Sequence, residues 1–502
     1  MLASVPLTPS NPPPSLRSVC ESPLMSDPAL PHEPAATDGV VPTDDPEHAG
    51  SLRELLRIAV PLMISSGSVS VMHLANRMFL TWYSLDSVAA VLPAGILHWT
   101  IISLIFGMVQ YANTFVAQYE GAGRRDRVAA AVWQGIYLAA GGGVLVNLIA
   151  LFAGPLFATI GHEPAIAQLE AEYFGTLCFS SLPMLLTAAM TCFFSGRGKT
   201  RVVMAVNVVG VAVNVLSDYL LIFGNGPFPR MGIRGAGIST VLAQTVECLM
   251  LVWLLFAARP RAEYGTLRNR AFDRELFKRF VKFGFPQGLH FFLDVASFAV
   301  FMQLIGRLGK TELAATNLAF NLNTLAFIPM LGLGTAVSTL VGNRIGEGRP
   351  EIAVRTTWTA FKLSAAYMLT FAAFYVLLPE LILRPYFADS SEADSAPVRA
   401  QVIELLKFVS VYCFFDAMGI VFGFAIRGAG DTRFALVFSC VTAWSLMVVP
   451  TVVSLTWFGG GLNACWWFCT IYIIVLGCGF FARFLAGHWK SMKVIEATRD
   501  DN

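Results

Sequence analysis

The chain has 502 residues, of which 55% are hydrophobic and only 14% charged, with a formal net charge of +2 and a mean hydropathy of +0.62. That balance excludes a soluble globular protein, and the near-neutral charge gives no electrostatic footprint for nucleic acid. The first 50 residues are rich in Pro and Ser, with Arg17 the only Lys or Arg against Glu21, Asp27, Glu33, Asp38, Asp44, Asp45 and Glu47. A disordered acidic N-terminal tail is expected at 1–50. It has no basic n-region followed by an apolar h-region, so it does not read as a secretory signal, and Met25 is an alternative start.

Beyond the tail, apolar segments long enough to cross a hydrocarbon core of about 30 Å recur twelve times. They lie near 53–82, 87–118, 126–157, 165–195, 201–224, 234–258, 276–306, 312–343, 351–382, 399–426, 434–457 and 460–486. Their length and lack of period-2 alternation exclude a membrane barrel, leaving an all-α polytopic membrane protein. Basic residues cluster at the even-numbered exits: Arg124, Arg125 and Arg127; Arg197, Lys199 and Arg201; the run from Arg259 to Lys282; Arg344 and Arg349; Arg427 and Arg433; Lys490, Lys493 and Arg499. The odd exits carry Asp86, His162, Glu163, Asp389, Glu392 and Asp394, diluted by Arg230, Arg234, Arg307, Lys310 and Arg384. Both termini are therefore expected in the cytoplasm, with the protein in the inner (plasma) membrane.

The cysteines lie mostly inside apolar segments without CxxC spacing; Cys465 and Cys469 share a helix face and read as small apolar packing. No P-loop, GxSxG, HExxH or dinucleotide fingerprint is present. An enzyme or an ATP-driven machine is not expected, and neither is a cofactor.

The chain repeats itself. The stretch 107-GMVQYANTFVAQYEGAGRRDRVAAAVW-133 aligns with 332-GLGTAVSTLVGNRIGEGRPEIAVRTTW-358 at an offset of 225 residues, which also relates Pro61 to Pro286 and Ala89–Ala90 to Ala314–Ala315. Further on, 196-GRGKTR-201 matches 428-GAGDTR-433 at an offset of 232. Two six-helix lobes are expected at 51–258 and 276–486, joined by a basic cytoplasmic linker at 259–275 and followed by a cytoplasmic tail at 487–502. An even number of spans per repeat makes the lobes parallel repeats, a layout of alternating-access transporters whose sites lie in or beside the central cavity.

At this point the residues resemble a known family. The segments 57-RIAVPLMISSGSVSVMHLANRMFLTWYSLDSVAAV-91, 207-NVVGVAVNVLSDYLLIFG-224, 286-PQGLHFFLDVASFAVF-301 and 412-YCFFDAMGIVFGFAIRGAGDTR-433 are similar to those of multidrug and toxic compound extrusion (MATE) transporters, NorM/DinF-like members above all, over about residues 53–486. The resemblance implies two lobes around a V-shaped cavity and export of small organic cations driven by inward H⁺ or Na⁺, the coupling ion taking the place of a cofactor. A monomer in the lipid bilayer is expected.

Asp294 and Asp416 sit deep in segments 7 and 10, and a carboxylate at mid-membrane costs about 2.5–3.5 kcal/mol on insertion scales, so each should face the interior and find a partner. Tyr412, four residues before Asp416, shares its helix face. The resemblance makes Asp294, Tyr412 and Asp416 the cation site of the C-terminal lobe, with Asp294 and Asp416 the metal ligands if the ion is Na⁺. Asn317 and Asn321 add amide oxygens there or serve as interhelical packing. In the N-terminal lobe Asn207, Asn214 and Asp218 line one face of segment 5, and Thr240 completes the similarity to the family's site. The family's helix 1 acid is replaced by Asn76, which cannot titrate, with His73 and Arg77 nearby; Arg77 is a candidate to neutralise Asp218. Glu247 has no family counterpart and reads as an interhelical hydrogen bond or a substrate-facing acid. Arg197, Arg427 and Asp431 are expected to be structural, capping helices and crossing the cytoplasmic interface, while Pro61 and Pro286 should open helices 1 and 7 and bend them. A lipid-linked oligosaccharide flippase of the wider superfamily is the alternative, but it calls for a cavity rich in Arg and Lys.

Overall fold

The computed structural model describes residues 49–160, 163–386 and 392–496. Apart from Ala49 and Gly50, the expected acidic tail lies outside the described residues. Among the described residues twelve helices are long and apolar enough to span a membrane: α1 Leu52–Tyr83, α2 Ala89–Gly121, α3 Arg125–Thr159, α4 Pro164–Ser195, α5 Thr200–Phe223, α6 Ile233–Leu255, α7 Arg274–Gly306, α8 Lys310–Gly346, α9 Pro350–Leu377, α10 Ala396–Ala429, α11 Thr432–Trp457 and α12 Leu462–Leu485. No strand occurs among the described residues.

Local chemistry sets several ends and breaks. Ser51 Oγ accepts from Glu54 N at 3.3 Å to start α1, and Asp273 Oδ1 accepts from Leu276 N at 3.0 Å to start α7, each meeting a backbone donor that a helix N-terminus leaves free. Gly224, at φ 74°, closes α5 in the left-handed conformation. In α11 the turns Ala443–Val448 widen to a π-helix just ahead of Pro450, whose missing N–H cannot bond back to Leu446. Pro61 and Pro286 lie inside continuous helices. Contrary to the expectation, neither opens its helix; Ser51 and Asp273 do.

The contacts between the halves obey the repeat. A Cβ on Gly107 would overlap Gly288 Cα, and one on Gly332 would overlap Met63 N. The offset of 225 maps Gly107 to Gly332 and Met63 to Gly288. Similarly, a Cβ on Gly121 would overlap the Asn343 carbonyl oxygen and one on Gly346 the Gln118 carbonyl oxygen, with 121 mapped to 346 and 118 to 343. Each contact returns with its partners exchanged, which is the behaviour of a two-fold interface. The sequence repeat is thus a spatial pseudo-two-fold, and glycine is what lets the helix backbones touch.

These contacts lie toward the face where the basic exits cluster. There Asn113 Nδ2 donates to Thr339 Oγ1 at 2.9 Å, Tyr111 OH donates to Arg427 O at 3.1 Å, and the buried Arg344 reaches Glu54 at 2.5 Å across the halves and Glu347 at 2.8 Å. Residues 259–275 run along α3, with Trp133 Nε1 donating to Thr266 O at 2.7 Å. After α12 the chain turns back beneath this face. Trp489 is buried and stacks on Phe484 at 5.0 Å; Arg279 of α7 donates to Val494 O at 2.9 Å and Ile495 O at 3.2 Å. Val494 N donates to Gln118 Oε1 at 2.8 Å. Glu496 accepts from Tyr119 OH and Arg124 at 2.6 Å each and from Arg127 at 3.0 Å. The carboxyl-terminal segment is therefore a strap holding both halves.

The strap should respond to pH. Burial alone would push the Glu496 carboxyl up, but the Tyr119 hydroxyl and the Arg127 and Arg124 guanidiniums hold it below the ordinary glutamate range. A depressed carboxyl contributes stability that is complete above its unfolded value, about pH 4.3, and is lost as pH falls through the lower folded value. Carboxypeptidase trimming should thus stay slow from neutral pH to about pH 5 and accelerate below about pH 4, and Glu496→Gln should be trimmed readily at neutral pH. Equal trimming of variant and native chain at neutral pH would show that Glu496 does not hold the strap.

Candidate transport sites

In the C-terminal half Asp294 projects from α7 with its side chain 37% exposed. One turn earlier on the same face stands the buried His290, whose Nδ1 lies 3.4 Å from Asp294 Oδ2 and whose Nε2 is 3.0 Å from Ser439 Oγ of α11. Ser439 precedes the π-helical turns, so the widened backbone of α11 adjoins the residue that anchors His290. Asp416 is half-buried on α10 and engages in no ion pair or hydrogen bond. Tyr412, one turn away, is buried with its hydroxyl unpartnered.

No hydrogen bond joins Asp294 to Asp416. The side chain within electrostatic range of both is Tyr472 of α12. Asn317 and Asn321 lie on an exposed face of α8; the α8 amides with a buried, unpartnered oxygen are Asn323 and Asn343. Arg427 reaches the interface between the halves, as expected, but only through its backbone. Its backbone carbonyl crosses the interface to Tyr111, but its guanidinium turns back along α10, donating to Gly423 O at 2.9 Å and lying 4.3 Å from the Phe424 ring, within electrostatic range of Asp294.

In the N-terminal half α5 presents Asn207, Asn214 and Asp218 along one face, as the spacing requires. Asn207 Nδ2 donates to Ser65 Oγ of α1. Asn214 and Asp218 are fully buried, and none of their side-chain N or O atoms has a hydrogen-bond partner. Asn76 of α1 is buried beside Tyr173 of α4, and Tyr173 is in electrostatic range of Asp218 and Arg77. Thr240 donates to Ala236 O of its own helix at 3.1 Å; the hydroxyl beside Asp218 is that of Ser239, which donates to Gly235 O at 2.9 Å. Arg77 is exposed and makes no ion pair with Asp218.

Two of the remaining expectations change in detail. Asp431 does not cap α11 through its side chain; it pairs with Arg483 of α12 at 2.7 Å. Arg197 is buried against the rings of Phe193 and Tyr264 at 4.4 and 3.7 Å, with Glu120 at 3.9 Å, so its charge is met by π-faces as much as by a carboxylate. Sequence reasoning passed over His290, Tyr472, Tyr173 and Ser239. His290 carried a signal, a titratable ring four residues before Asp294; the others depend on how neighbouring helices are rotated.

Comparison with known proteins agrees with this architecture. The chain is 25% identical over 453 residues to the probable multidrug resistance protein NorM of Thermotoga maritima, covering 89% of this chain and 95% of that one. It is 28% identical over 418 residues to the multidrug resistance protein NorM of Burkholderia vietnamiensis, covering 82% and 88%. Among solved structures, an outward-facing multidrug resistance MATE family transporter of the MOP superfamily superposes with a TM-score of 0.80 at 20% identity, over 88% of this chain and 97% of that one. A MOP superfamily transporter from Pyrococcus furiosus, described as having a binding pocket of reverse polarity, gives 0.79 at 21% over the same shares. These likenesses carry the fold. The MatE family's sequence model matches residues 61–220 and 286–453, one match per repeat, so the chain belongs to the MATE family of multi-pass membrane transporters and is NorM-like, a transporter and not an enzyme.

Proposed function

We propose that this protein is an antiporter that exports small organic cations by alternating access, driven by inward flow of H⁺ or Na⁺ across the inner membrane, as a monomer with both termini in the cytoplasm. The observation that carries the reading is Asp416. It is a carboxylate on a membrane-spanning helix with no ion pair and no hydrogen bond, next to a buried tyrosine hydroxyl that is likewise unmet. Such a group is stable in the membrane when a cation or proton accompanies it. Asp294, Tyr412 and Asp416 form the cation site in this reading, Asp294 and Asp416 supplying the oxygens for Na⁺ if that is the ion; Tyr472 links them, and Asn317 and Asn321 border the cavity. Asn76, Asn207, Asn214, Asp218 and Thr240 form a second polar region. The halves 51–258 and 276–486 rock about the glycine contacts, and with those contacts closed the cavity faces outward. The names of the NorM relatives, multidrug resistance proteins, support small organic substrates. The flippase reading loses ground because the interior of the halves carries unpaired acids.

Reconstituted vesicles test the reading. Ethidium should be exported when a H⁺ or Na⁺ gradient is imposed, and export should stop when that gradient and the membrane potential are both collapsed, the potential being worth about 2.3 kcal/mol per charge per 100 mV. Dye binding to purified protein should weaken as the coupling cation rises, because occupancy by one lowers affinity for the other reciprocally. Export indifferent to every gradient would overturn the proposal.

A further inference from the structure

The N-terminal half contains, besides Asp218, a buried acid on α6 for which the antiport reading has no use. Glu247 of α6 is buried and rests on the bare backbone of α5 at Gly210, where a Cβ would overlap its Oε1. Gly210 belongs to the polar face of α5 that runs Asn207, Gly210, Asn214, Asp218. Asn214 stands one turn, about 6 Å of rise, from Gly210 and one turn from Asp218. Two carboxyl groups, about 12 Å apart along the helix and with no direct electrostatic action on each other, therefore flank a single amide in a helix interface.

The bracket is electrostatically unanswered. Neither acid makes an ion pair or a hydrogen bond, and Asn214, with no exposed surface, has neither its Nδ2 nor its Oδ1 met. The groups that face the bracket from neighbouring helices are few. From α4 there is Tyr173, in range of Asp218; from α1 there are Arg77, which is exposed and acts on Tyr173, and Ser65, which holds Asn207. From α6 itself Ser239 donates to its own backbone. An amide has one donor end and one acceptor end. Between two carboxyl groups it suits one protonated acid, which donates to Oδ1, and one ionised acid, which accepts from Nδ2; turning the amide exchanges their roles.

We propose that Asp218 and Glu247 are a linked pair that holds one proton through Asn214, so that the N-terminal half carries part of the coupling although α1 contributes only Asn76. The role in coupling rests on the antiport reading; the linkage rests on the geometry alone. Infrared pH titration of the carboxyl carbonyl bands, on full-length protein in lipid, tests it. Glu247→Gln should remove one band and move the Asp218 midpoint by about 1 pH unit, the scale at which two sites titrate as a pair. Asp218→Asn should do the same to Glu247. Gly210→Ala, which displaces the Glu247 carboxyl and keeps both acids, should also move both midpoints, and Asn214→Leu should let the two titrate independently. A retained helical circular dichroism spectrum identifies folded variants. An Asp218 midpoint unmoved by Glu247→Gln in protein that still exports dye on a gradient overturns the pair and leaves the antiport reading standing. A moved midpoint with export indifferent to gradients keeps the pair and overturns its part in coupling.

Discussion

Asp416→Asn and Asp294→Asn are each expected to reduce gradient-driven dye export to the level of vesicles without protein, while expression and membrane insertion stay intact. The substitution keeps the shape of the side chain and removes only the capacity for charge. Insertion should not suffer, because a mid-membrane carboxylate opposes it by about 2.5–3.5 kcal/mol. Export should suffer fully, because an amide can neither release a proton nor balance a cation. Asp294 has His290 at 3.4 Å to help place it, whereas Asp416 has no such partner. Asp218→Asn is expected to lower export without abolishing it. Normal export by either C-half variant would remove the proposed site, and equal loss in all three would mean that the two halves contribute alike.

Gly121→Ala and Gly346→Ala are expected to destabilise the protein by similar amounts, about 1–3 kcal/mol each, the range for overpacking a close contact. Each added methyl would overlap a backbone carbonyl oxygen, of Asn343 in one case and Gln118 in the other, and backbone in a helix cannot swing aside as the end of a long side chain can. Because the contacts are exchanged by the pseudo-two-fold, the losses should match. Thermal melts of the purified variants measure this, with Gly141→Ala, a helical glycine where nothing lies within 4 Å of a Cβ, marking the effect of a methyl group added without a clash. A large loss at one position and none at the other would show that the two contacts are not energetic equivalents.

The helices were legible because a membrane demands long apolar runs, and the duplication because the same loops recur at a fixed spacing. The polar face of α5 was legible for a similar reason: helical periodicity fixes which side chains share a side. What remained hidden was lateral. Which α4 residue meets Asn76, or which α12 residue is in electrostatic range of two carboxylates, follows from helix rotations that lipid-facing and protein-facing leucines do not distinguish. Asp431 shows the limit of a local rule. An acid just before a helix suggests a cap, yet Arg483, distant in sequence and adjacent in space, takes it.

The carboxyl-terminal strap marks where the molecule departs from its own symmetry. Glu54 and Arg344 close one seam between the halves by a direct ion pair; the residues at the related positions, Arg279 and Tyr119, do not pair but are joined through Val494, Ile495 and Glu496. One seam is closed by a charge pair between the halves, and the other by chain that follows α12. Added salt therefore loosens the two unequally, since it screens the more exposed pairs of Glu496 with Arg124 and Arg127 more than the buried pair of Arg344 with Glu54. If the halves rock as proposed, a motion that parts both seams breaks a direct pair at one and peels a length of chain from the other, so this face would open unevenly even though the framework is nearly twofold.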